Sequence, residues 1–177
     1  MYRERESAMK NILVCYATRY GSTGDIGRII GKELEAACDH VAVSPIADVK
    51  NPGNYDAIVI GSPLYMGKWL AEARDFVSRF RHPLQERPVA VFSVGYSLKD
   101  RTIEHLKSGE DALVPIRIFI HPVSTGFFPG KVDPDRMSPA DKAMVRLSGV
   151  SPGDFRDEDM VRSWARELGG LPLLKDE

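Results

Sequence analysis

Thr18-Arg19-Tyr20-Gly21-Ser22-Thr23 sets three aliphatic hydroxyls and a glycine in one short stretch. It lies directly behind an apolar run, Ile12–Tyr16, and ahead of a helical pattern, Asp25, Ile26, Ile29, Ile30 and Leu34. The spacing predicts a buried strand, a tight loop and a helix N-terminus in that order. The first N–H groups of a helix lack intrahelical acceptors, and its dipole favours negative charge there. Thr18, Ser22 and Thr23 add hydroxyl donors, and Gly21 lets the backbone come close. The chemistry is anion binding, and the stretch reads as a phosphate cradle. Ser22 and Asp25 also fit a capping box, so an ordinary capped helix is the plain alternative.

Missing features narrow the anion. A dinucleotide fingerprint needs G-x-G-x-x-G and an acid closing the second strand. Here Gly21, Gly24, Gly27 and Gly31 contain no G-x-G, and His40–Ser44 ends without an acid. A triphosphate loop needs Gly-Lys-Ser/Thr, but Gly31-Lys32 is followed by Glu33. A hydroxyl-lined loop without lysine suits one phosphate monoester.

Two further loops carry an aromatic beside a glycine. Gly61-Ser62-Pro63-Leu64-Tyr65-Met66-Gly67 has Trp69 nearby, and Ser93-Val94-Gly95-Tyr96 leads on to Lys99. A flat ring could lie between them, with N–H groups at Tyr65–Gly67 and Gly95–Tyr96 reaching its edge. One phosphate monoester plus one flat ring system matches flavin mononucleotide (FMN). Either tyrosine alone would read as an ordinary surface aromatic.

The elements that must position these loops alternate between strand and helix. Strands are expected at Ile12–Tyr16, Val41–Ser44, Ala57–Ile60, Val89–Val94 and Ile116–Ile120, the last extending as far as Gly126. Helices are expected at Thr23–Ala37, Trp69–Phe80, Asp100–Lys107 and Glu158–Leu168, with connections at Asp48–Tyr55 and Pro83–Pro88. Gly24, Gly27 and Gly31 recur at helical spacing and imply close packing against the sheet. Trp164 falls on an apolar stripe with Val161, Ala165 and Leu168, so it belongs to the core. The pattern implies one parallel sheet with helices on both faces. Ligands of such sheets bind beyond the strand C-termini, where all three loops fall. A phosphoacceptor receiver domain needs an aspartate ending the third strand; Ile60-Gly61-Ser62 stands there, and Asp56 is at the wrong end.

The connection Phe127–Arg156 is unusually long for a compact domain. It holds an amphipathic stretch, with Ala143, Met144 and Leu147 opposite Lys142 and Arg146. Residues 127–150 carry Lys131, Arg136, Lys142 and Arg146 against Asp133, Asp135 and Asp141, a charge of +4 − 3 = +1. The insertion is therefore a candidate for peripheral contact with an anionic membrane, with a lid on its own sheet the plainer reading.

The 177 residues suffice for one domain, expected over 10–170 with tails at 1–9 and 171–177. A net charge of −1, from 24 basic and 25 acidic residues, gives no case for nucleic acid. It also weakens the case for a one-electron carrier with a strongly acidic docking face. The charged start, Met1–Met9, lacks a signal core. Cys15 and Cys38 read as packing thiols of a reducing cytoplasm, and His40, His82, His105 and His121 are too scattered for a metal site.

The order of these motifs resembles flavodoxin-like domains, in particular the branch containing the menaquinone-dependent protoporphyrinogen IX dehydrogenases. The resemblance runs from about Lys10 to Leu168. The phosphate loop carries it, and the late segment, Ala143–Gly149 with Asp159–Glu167, points to the branch. It implies a five-stranded doubly wound sheet of order 2-1-3-4-5 and bound FMN. Residues Thr18, Arg19, Tyr20, Gly21, Ser22 and Thr23 would hold the phosphate. Pro63, Leu64, Tyr65, Met66 and Gly67, with Ser93, Val94, Gly95 and Tyr96, would flank the ring. The insertion would fold over the flavin edge. Ser62-Pro-Leu-Tyr-Met-Gly-Lys-Trp69 departs from the branch, lacking its basic residue and ring pattern. The implied activity is a flavin dehydrogenase passing electrons from a small-molecule donor to a quinone. The alternatives are an electron carrier for protein partners and an NAD(P)H:quinone reductase.

Overall fold

The structure, a computed structural model, describes residues 10–171. The chain runs β1 (Asn11–Tyr16), α1 (Ser22–Leu34), β2 (His40–Pro45), β3 (Ala57–Tyr65), β4 (Lys68–Trp69), α2 (Ala71–Arg79), α3 (Arg81–Gln85) and β5 (Val89–Val94). It continues with α4 (Ile103–Ala112), α5 (Val114–Arg117), β6 (Ser124–Phe128), β7 (Lys131–Val132), α6 (Pro139–Ser148), β8 (Gly153–Asp154) and α7 (Glu158–Gly169). The parallel strands lie in the order β2-β1-β3-β5-β6. With the short β4 hairpin strand set aside, this is the expected 2-1-3-4-5 doubly wound sheet. Its switch point lies between β1 and β3.

Alternation along β1 divides the core. Ile12, Val14 and Tyr16 face α1 and α7, meeting Ile26, Ile30, Leu34, Val161 and Trp164. Leu13 and Cys15 face the other layer, with Phe76 and Val77 of α2, Leu113 and Ile116. Every residue of β5 is buried, as a central parallel strand requires. Trp164 is core as expected, edge-on to Phe128 at 5.5 Å. Close packing by the α1 glycines also holds: a Cβ on Gly24 would stand 2.8 Å from the Tyr16 ring, and one on Gly31 would stand 2.3 Å from Val43.

Several boundaries differ from expectation. Residues 116–120 form no strand. Ile116 and Ile120 are buried one helical turn apart while Ile118 is 73% exposed, and Ile120 N–H donates to Ile116 O. Branched composition mimicked a strand, but the burial period is helical, and the fifth parallel strand is Ser124–Phe128. Gly61–Tyr65 continues β3 instead of forming a loop. Trp69 belongs to β4, so the next helix starts at Ala71. The connection 83–88 overlaps α3, and the helix expected at 100–107 is Ile103–Ala112. The first helix ends at Leu34. Of the expected tails, 1–9 and 172–177 lie outside the described residues; Leu171 packs against the core.

Candidate functional site

The chain leaves β1 at Ala17, whose N–H donates to Gly61 O at 2.9 Å. The loop then closes on itself, Gly21 N–H donating to Thr18 Oγ1 at 2.9 Å. Gly21 is the N-cap of α1, at φ +96°, which only glycine adopts without strain. No side chain caps this helix. The capping-box alternative therefore fails. Asp25 pairs outward with Arg28 and Arg156, each at 2.7 Å, and Ser22 Oγ accepts Lys131 N–H at 3.0 Å. The first turn of α1 thus keeps its N–H groups free of an intrahelical acceptor. Arg136 of the insertion lies against the loop, with Nη1 3.4 Å from where a Gly21 Cβ would stand.

From this polar end a cavity of about 390 Å³ runs along the C-terminal ends of β1, β3 and β5, within the usual range for small-molecule sites. Thr18, Arg19, Tyr20, Ser22 and Thr23 line one end, and Pro63, Leu64, Tyr65, Met66, Val94, Gly95 and Tyr96 form the walls. Met66 and Gly67 turn the β3–β4 hairpin with φ of 51° and 72°, leaving Met66 75% exposed at the mouth. Tyr96 is held from behind. Its ring meets Phe155 edge-on at 5.3 Å, its hydroxyl accepts Ser151 N–H at 3.3 Å, and Lys99 Nζ lies 5.0 Å from the ring centroid. An anionic tail and a flat apolar body fit this shape.

Three expected residues, Gly21, Gly67 and Ser93, are not part of the lining. Gly21 and Gly67 shape turns. Ser93 is fully buried, its Oγ accepting Trp69 Nε1–H at 2.8 Å, so it ties β4 to β5. The expected N–H donor of Gly95 is also committed, to Phe128 O at 3.0 Å.

Residues from the insertion complete the wall: Val132, Met137, Asp141, Met144, Val145 and Val150. The expected apolar stripe does not dock α6. Leu147 is 90% exposed, and the helix's one buried residue is Asp141. The Asp141 carboxylate accepts hydrogen bonds from Arg19 Nε at 2.7 Å, Tyr65 OH at 2.8 Å and Tyr20 OH. Arg19 also stacks over the Tyr65 ring, 4.3 Å from its centroid. The hydrogen bond from Arg19, joined by those from the two tyrosines, pulls the Asp141 carboxyl down to about 2. The same contacts raise the pKa of Arg19, and the bond to Asp141 raises that of Tyr65. The one sequence signal for Asp141 was its place after Ser138-Pro-Ala, a helix-start pattern. Ser138 Oγ does accept Asp141 N–H at 3.2 Å, but the carboxylate turns inward.

The flavodoxin domain family matches residues 13–158, taking in all three rim loops and the insertion. This chain belongs to the flavodoxin domain family. In flavodoxin domains of this strand order FMN sits at the β1/β3 switch point, where this cavity lies. The protoporphyrinogen IX dehydrogenase [quinone] of Escherichia coli (strain K12) is 29% identical over 84 residues, covering 46% of this flavodoxin domain chain and 46% of that protein. The chain thus matches less than half the length of that curated relative. A solved NADH:FMN oxidoreductase (EMOB, apo form) superposes with a TM-score of 0.58 at 10% identity, covering 91% of this chain and 89% of its own. Fusobacterium nucleatum flavodoxin bound to flavin mononucleotide gives 0.54 at 14% identity, covering 92% and 98%.

Proposed function

We propose that this flavodoxin domain is an FMN-dependent oxidoreductase passing electrons from a reduced organic substrate to a quinone. The observation that carries this reading is one continuous cavity, with hydroxyls and a helix N-terminus at one end and an apolar body roofed by α6. Thr18, Ser22, Thr23 and the first N–H groups of α1 would hold the phosphate. The ring would lie between Pro63–Met66 and Val94–Tyr96. Bound there, FMN supplies both one- and two-electron chemistry. The chain's part is to orient the ring and exclude water. Asp141, ionised at neutral pH, is a fixed charge that positions loops and is no proton donor.

A roofed apolar space suits a small molecule better than the docking face of a protein partner. Protoporphyrinogen is the first substrate to try, since the E. coli relative carries that name. Among the described residues no helix is long and apolar enough to cross a membrane. The surface offered for contact with a quinone-bearing membrane is exposed Leu147 beside Arg146. Co-sedimentation with anionic vesicles, abolished by Leu147→Glu, supports that contact; no sedimentation ends it.

Anaerobic titration of the FMN-loaded protein tests the activity. Bleaching by protoporphyrinogen and recolouring by a menaquinone analogue is the expected result. Bleaching only by NAD(P)H marks a reductase instead, and exchange of electrons only with protein partners marks a carrier.

A further inference from the structure

Helix α6 is attached in an unusual way. Its ten residues bury one side chain, and that side chain is a carboxylate. Met144 and Leu147, which would weld an amphipathic helix to a core, are 36% and 90% exposed. The groups that grip Asp141 come from elsewhere: Arg19 and Tyr20 from the loop after β1, and Tyr65 from the end of β3. Tyr20 serves twice, its hydroxyl also accepting Ser138 N–H at 3.3 Å at the start of α6. Beyond the helix, Gly149 takes φ +72°, and a Cβ there would meet nothing within 4 Å, so the C-terminal end is unpacked.

The geometry points to a latched lid: α6 swings on and off the cavity, and Asp141 is the bolt that Arg19, Tyr20 and Tyr65 hold. A hydrophobic weld has no cheap open state, because opening exposes apolar surface. A polar latch does, because water replaces the lost hydrogen bonds on both sides once α6 lifts. The catch is built from the residues that line the proposed phosphate and ring sites. Closure therefore also fixes the Arg19–Tyr20 loop and Tyr65, making Asp141 a positioning residue for that site. This second part rests on the FMN reading; the latch itself does not.

The experiment has two arms, run on wild type, Asp141→Ala, Asp141→Glu and Leu147→Ser. Hydrogen exchange on the ligand-free protein follows the amides of 139–148 against those of β1, β3 and β5. Asp141→Ala is expected to raise exchange in α6 by about tenfold to a hundredfold, the worth of about one hydrogen bond to a charged group, with the sheet unchanged. Asp141→Glu should recover part of the protection, and Leu147→Ser should match wild type. Equal exchange of α6 in wild type and Asp141→Ala would overturn the latch. Stopped-flow quenching of flavin fluorescence then gives FMN association and dissociation rates. Faster dissociation from Asp141→Ala is expected; unchanged rates overturn the claim that the lid governs access. Absence of FMN binding to wild type refutes the FMN reading, and the exchange result still decides the latch.

Discussion

Helices α1 and α6 flank the same cavity and are held by opposite physics. Helix α1 buries Ile26, Ile30 and Leu34 against the sheet, and its glycines let the backbone settle onto Tyr16 and Val43. Helix α6 buries one carboxylate, leaves Leu147 in water and turns Met144 and Val145 to the cavity instead of the core. The two ends of the site thereby differ in stiffness. The helical part of the phosphate end, from Thr23 onward, is tied to the core, whereas the Arg19–Tyr20 loop and the ring end close against a removable wall.

The sharpest way to break this contrast is to damage both helices and compare. Ile30→Ala removes a fully buried side chain and should lower unfolding free energy by about 2–5 kcal/mol in denaturant titration. Gly24→Val should cost about 1–3 kcal/mol, since its Cβ would stand 2.8 Å from the buried Tyr16 ring. Tyr16→Leu in the same chain should return part of that loss. At the other end of the scale, Leu147→Ser on α6 should change stability by less than about 0.5 kcal/mol. A large loss there would mean that α6 is welded after all.

An acid titration sharpens the comparison between these extremes. Asp141 lies at about 2 in the folded protein against an ordinary 3.8, so folding favours its ionised form. Its contribution is fully present above about pH 4 and is lost as the pH falls towards 2. Glu33, beside Arg166 and Arg162, and Asp154, beside Arg156, are lowered too and add to the same acid loss. Asp141→Asn should flatten stability over this window, read as midpoint denaturant concentration at each pH. An unchanged slope would show that the carboxylate contributes nothing when bound.

The same contrast explains what the sequence made legible. The α1 end was readable because its determinants are local: an apolar run, a hydroxyl loop and a helix period lie next to one another. Even there Ser22 misled, since its hydroxyl serves Lys131, 109 residues away, and not its own helix. Ile116–Ile120 reads as a strand from its branched composition, yet its burial period is helical and the fifth strand is Ser124–Phe128. The roof of the site was illegible for a different reason. Asp141 owes its role to partners 121, 122 and 76 residues distant, and no local pattern separates a solvated helix-start acid from an inward one. Ser93 shows the converse: its place beside the rim suggested a ligand contact, but the Trp69 indole across the hairpin claims its hydroxyl.

The central claim is that the cavity between these helices takes FMN by its phosphate and its ring together. Fluorescence titration of ligand-free protein with FMN, and in parallel with riboflavin, tests it most directly. The account predicts stoichiometric quenching of FMN at micromolar protein or below, with riboflavin bound markedly more weakly because the cradle at Thr18–Thr23 has no phosphate to hold. Equal affinity for the two would contradict the phosphate cradle, and no quenching of either would contradict the site as a whole.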